Sequence, residues 1–122
     1  MTLTDDGCTY QGDTTVDPGT FTIKVENQTK HFGAFALAAI ADASKMEDLT
    51  AYITTAERQL KQTGKLPEPP AYYRQVVRSG VEAGSTGDVP VDVSAGTYAL
   101  MCFVDDLPAW RAYVADKLDV SG

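Results

Sequence analysis

Between Thr20 and Glu26 apolar and polar residues alternate, with Phe21, Ile23 and Val25 on one side and Thr20, Thr22, Lys24 and Glu26 on the other. A period of two is that of a strand with one face in a core and one in water. Asp17-Pro18-Gly19 supplies its entry turn. After the polar turn Asn27-Gln28-Thr29-Lys30 the alternation stops, and His31 to Ile40 is apolar at every position after its first. Such a run predicts a strand covered on both sides. Phe32, Phe35 and Leu37 are expected to contribute most of its buried area.

A helical period takes over at Ser44. Ser44 and Glu47 have capping-box spacing, and Met46, Leu49, Ile53, Ala56 and Leu60 then recur on one face. Gly64 stands where a left-handed terminator is wanted, so the pattern predicts one amphipathic helix over 45–63. Lys65-Leu66-Pro67-Glu68-Pro69-Pro70 cannot continue it, because its prolines remove donors and hold the chain extended. Beyond Tyr72 and Tyr73, Val76-Val77 reads as a short strand and the Gly- and Ser-rich stretch from Gly80 to Gly87 as a turn. Val89, Val91 and Val93 alternate with Pro90 and Asp92; Ser94-Ala95-Gly96 turns the chain; Thr97 to Val104 runs back with Tyr98, Leu100, Cys102 and Val104 on one face. The segment from Trp110 to Val120 closes the sheet. Short strands separated by turn signals predict a β-sandwich with one inserted helix, in a single domain over 1–122.

Composition narrows the role. With 122 residues, 43% of them hydrophobic, the chain can fill one core. A net charge of −7 repels phosphate backbones and anionic lipid headgroups, which speaks against nucleic acid and membrane surfaces as partners. No apolar run approaches a membrane span, and Met1 to Asp6 lacks the basic start and apolar middle of a signal peptide. Cys8 and Cys102 lie near opposite ends of the sequence, without zinc-type neighbours. They are either two buried thiols or a bridge. A bridge would close most of the chain, an effect of about 4–5 kcal/mol in the loop-entropy model, and would suit an oxidising compartment.

Three segments carry a resemblance: Gly19 to Asn27 followed by His31; Ser44 to Leu49; and Gly96-Thr97-Tyr98-Ala99-Leu100-Met101-Cys102-Phe103. Laid out in this order, the chain resembles the cupredoxin-like family, and more closely its copper-free bacterial extracytoplasmic members. The resemblance implies a Greek-key β-sandwich and places the first copper ligand of the metal-binding members at His31 and the thiolate at Cys102. Their remaining histidine and axial methionine come from the loop after that cysteine, which here reads Val104-Asp105-Asp106-Leu107-Pro108-Ala109-Trp110-Arg111 and holds no soft ligand. Cys8-Thr9-Tyr10-Gln11-Gly12 is similar to the copper-free relatives, where the early cysteine pairs with the strand cysteine. The resemblance therefore implies a Cys8–Cys102 disulfide, no cofactor and an extracytoplasmic setting, although no leader or anchor is legible in these residues.

The function expected on this basis is non-catalytic: binding of a small ligand or protein through the helix and the 64–74 segment, with Pro67, Pro69, Pro70, Tyr72, Tyr73 and Trp110 as the candidate surface. The alternative is a copper-binding electron-transfer or copper-handling protein using His31 and Cys102. Met46 belongs to the helix's apolar stripe and Met101 faces away from Cys102, so neither completes that site. A nucleophilic Cys102 with His31 as base would need an exposed thiol of low pKa, whereas the strand pattern buries Cys102. Asp5-Asp6 and Asp105-Asp106 read as solvated acidic turns rather than a cation site, and Asn27-Gln28-Thr29, a glycosylation acceptor pattern, reads as a hairpin turn.

Overall fold

The computed structural model describes residues 1–4, 7–41, 43–64, 68, 70–106 and 109–121. In chain order the elements are β1 (Thr2–Thr4), β2 (Gly7–Thr9), β3 (Thr15–Val16), β4 (Gly19–Asn27), β5 (Phe32–Ile40), a 3₁₀ turn (Ala43–Lys45), α1 (Met46–Thr63), β6 (Tyr73–Val81), β7 (Thr86–Val93), β8 (Gly96–Asp106) and β9 (Ala109–Val120). They build a β-sandwich with one helix. The first sheet runs β2-β1-β4-β7 and the second β3-β9-β8-β5-β6. The pairings β1 with β4 and β3 with β9 are parallel and the others antiparallel.

The alternating strands behave as their pattern demands. Ile23 and Val25 of β4 and Val89, Val91 and Val93 of β7 turn inward against Phe35, Leu37, Tyr98, Leu100, Cys102, Leu118 and Val120 of the second sheet. The intervening Thr22, Lys24, Glu26, Asp88, Pro90 and Asp92 are exposed on the outer face of the first sheet. Pro90 is tolerated because β7 pairs only with β4 and has a free edge for the missing N–H.

β5 is covered on both faces, as its uninterrupted apolar run predicts. Phe35 and Leu37 face the first sheet, while Ala34, Ala36, Ala38 and Ile40 share the other face with Ala99, Met101 and Phe103 and pack under Leu49 and Ile53 of α1. The alanine row lets the helix settle close to the sheet. Burying Leu49 and Ile53 there is worth about 2 kcal/mol each, an upper range set by the apolar area they remove from water. Phe32 departs from expectation. It is 49% exposed at the strand end, and its ring lies over Gly80, where a Cβ would collide with it.

The helix spans the predicted residues, but its start differs. Lys45 is the N-cap, without a capping bond from its own side chain, and the 3₁₀ turn that holds Ser44 leads into it. Its end is as predicted: Gly64 takes φ 74° and its N–H donates to the Leu60 carbonyl at 2.8 Å.

Two turns that read as hairpins are arches between sheets. Strands β4 and β5 lie in different sheets, as do β7 and β8, so Asn27 to His31 and Ser94-Ala95 carry the chain across the core. β6 is also longer than Val76-Val77 suggests, at nine residues. Its register against β5 shifts between Leu37 and Ala38, where Val77 and Gln75 are the partners and Val76 is the extra residue. That bulge interrupts the alternation by which a strand is recognised.

Candidate functional site

Cys8 on β2 and Cys102 on β8 form a disulfide that ties the two sheets together, with 6.3 Å between their Cα atoms. Cys102 is fully buried beside the inward-facing Tyr98 and Leu100. It stands within β8 rather than at its end, opposite Phe35 on β5. His31 precedes β5 by one residue, which puts it four positions from Phe35, or about 13 Å along the strands at the ordinary rise. The two residues of the copper alternative are therefore not brought together, and the Cys102 sulfur is already bonded. Met101 packs on the helix side of the sheet, facing away from Cys102 as its place on the strand predicts.

The backbone of His31 is held by a buried polar hub. Asn27 and Thr29 are 1% and 3% exposed. The Asn27 Nδ2 donates to the carbonyls of His31 and Val81, each at 2.9 Å, and its Oδ1 accepts from the N–H of Thr29 at 3.0 Å and from Thr29 Oγ1 at 2.7 Å. The Asn27 N–H donates to the Ser85 carbonyl, and the Asn27 carbonyl accepts from the Gly84 N–H, both at 2.9 Å. One residue, through its side chain and backbone together, thus joins the β4–β5 arch to the end of β6 and the β6–β7 connection. Because both amide protons are engaged inside the fold, Asn27 cannot accept a glycan in the folded protein.

Of the expected contact surface, Pro67 and Pro69 lie outside the described residues, as does the side chain of Trp110. The carboxylate pairs Asp5-Asp6 and Asp105-Asp106 lie outside them too, by residue or by side chain. Pro70, Tyr72 and Tyr73 are placed. The Tyr73 N–H donates to the Pro70 carbonyl at 3.0 Å and the Ala41 N–H to the Tyr72 carbonyl at 2.8 Å, which pins the segment to the end of β5. Tyr72 and Tyr73 pack, half-buried, with Tyr52 of α1 against the helix-side core. Burial pushes all three phenols above their usual range; Tyr72 raises Tyr52 further, Asp48 raises Tyr72, and Tyr52 raises Tyr73 against the opposing pull of Arg78. The Arg78 guanidinium sits 4.6 Å from the centroid of the Phe103 ring, a cation–π contact.

Two grooves border this region. One lies between α1 and β9, where the Glu57 Oε1 accepts from the Ala112 N–H at 3.0 Å and Thr50, Ile53 and Thr54 form the helix wall. The other opens at the end of the second sheet, among Tyr72, Arg74 and the Ser94 to Tyr98 segment, with a volume of about 380 Å³. Sequence reasoning missed Tyr52, Glu57, Arg74 and the Asn27–Thr29 hub. For Tyr52 the signal was available, since it stands three residues after Leu49 on the face that packs; for the others nothing local marks them. No protein-family model matches the chain, and comparison with curated proteins and with solved structures yields no match.

Proposed function

We propose that the chain is a non-catalytic, extracytoplasmic binding module of the cupredoxin-like kind without a type 1 copper site, whose contact region is α1 with the 64–74 segment. The observation that carries this reading is the Cys8–Cys102 disulfide. It occupies the sulfur that a trigonal copper centre would require, and it suits an oxidising compartment. The sandwich leaves that bridge in the core and displays the helix and the Pro70 to Tyr73 turn on the opposite face of the second sheet, anchored by the tyrosine cluster. A rigidly supported loop and helix on a sheet scaffold is the usual place for recognition. Among the described residues no helix is long and apolar enough to cross a membrane.

Two measurements on freshly purified, non-reduced protein test the reading. Intact mass should rise by about 2 Da on reduction, the two hydrogens that open one disulfide. Titration with cupric salt should produce no intense thiolate-to-copper absorption. A coloured, stoichiometric complex would replace the module with the copper alternative on His31 and Cys102.

A further inference from the structure

Along the inner face of β5 the large Phe35 and Leu37 are followed by Ala39, whose methyl stops short of filling the end of the sheet. In register beside it stand Arg74 on β6 and Tyr98 on β8, so a cation and a phenol flank a gap. The groove of about 380 Å³ opens here. Its far rim is the β7–β8 arch, braced by the Tyr98 hydroxyl, which donates to the Ser94 carbonyl at 2.9 Å.

The charge of this groove is opposite to that of the molecule. The chain carries 17 acidic and 10 basic residues, yet the groove's described lining contains Arg74 and no carboxylate. Arg74 is exposed and forms no ion pair among the described residues. The other polar side chains there are hydroxyls, those of Ser94 and Thr97 included, and the remaining wall at Ala39, Ile40 and Ala71 is apolar.

We propose that this groove binds a small organic monocarboxylate with an apolar body. The planar guanidinium offers two parallel N–H donors to a carboxylate, a rim hydroxyl supplies a further donor, and the apolar body lies against Ala39 and Ala71. A single cation balances a single negative charge. A phosphate dianion would bring a second charge into a protein of net charge −7 with no further cation in the groove's described lining to meet it. The proposal rests on the reading of the chain as a binding module and names the ligand class of the groove beside Tyr72.

The test is a titration of isotope-labelled protein with benzoate and with its neutral isostere benzamide, followed through the amide resonances of Ala95, Gly96 and Thr97. Benzoate should shift these amides saturably and bind about tenfold or more tightly than benzamide, the margin of a charge-assisted over a neutral hydrogen bond. Arg74→Gln, at an exposed site, should lower benzoate affinity to that of benzamide and leave benzamide binding unchanged. Equal affinity for the two probes, an Arg74→Gln protein that binds benzoate as the parent does, or amides that do not move with benzoate would each overturn the assignment. Those outcomes leave the module reading intact. A copper–thiolate band in the separate cupric titration would remove that reading and leave the benzoate result to stand.

Discussion

Asn27 shows how much one side chain can carry when its surroundings use every donor and acceptor it has. In sequence it belongs to a polar turn of four residues; in the fold it is buried and bonded to Thr29, His31 and Val81. Asn27→Ala leaves the Val81 carbonyl and the Thr29 N–H without that partner in a dry site, where each lost bond costs about 1–3 kcal/mol. A total loss of about 2–4 kcal/mol in urea unfolding is expected, while Thr29→Ser, which keeps the hydroxyl, should stay within about 1 kcal/mol. The hub was illegible because Asn, Gln and Thr in a row describe a solvated turn equally well, and only the return of Val81 and Ser85 to the same place excludes water. Cys102 was more readable, since its alternate neighbours Tyr98 and Leu100 already assigned it to a buried face.

At the scale of elements, α1 is held by two kinds of contact with different sensitivities. Tyr52, Tyr72 and Tyr73 have phenol pKa values raised by burial. A raised phenol pKa means the fold prefers the neutral form, so the stability it supports is present below the unfolded value near pH 10 and drains away as pH climbs towards the folded values. Unfolding free energy should therefore fall above about pH 10, and Tyr73→Phe should flatten that fall; an identical alkaline slope in Tyr73→Phe would show that the phenol is not its source. Glu57 acts differently, by capping the Ala112 N–H on the side of β9 away from β8. Glu57→Ala should cost about 1–2 kcal/mol and speed hydrogen exchange at Ala112, whereas Glu57→Gln, which retains an acceptor oxygen, should change exchange there far less. The helix itself was legible from its apolar stripe and Gly64. The length of β6 was not, because the extra residue at Val76 breaks the two-residue period that identifies strands.

For the whole molecule, the disulfide is the covalent cross-link, joining residues 94 positions apart across the sandwich. The Cys8→Ala/Cys102→Ala double variant should lose up to about 4–5 kcal/mol through the larger entropy of its unfolded chain, read as a lower urea midpoint, while the helix content of the folded protein at low denaturant stays the same. From the sequence alone came the mainly β class, the strands β4, β5, β7, β8 and β9, and the one helix with its terminator, because periodicity and terminal glycine chemistry are properties of residues a few positions apart. Tertiary structure alone decided that Asn27 to His31 and Ser94-Ala95 are arches rather than hairpins, that Phe32 remains exposed while Asn27 is buried, and that Arg74, Ala39 and Tyr98 line one groove. Each of these depends on which distant strand lies alongside. The free energy of that choice is shared among residues far apart in the chain and leaves no mark on their immediate neighbours.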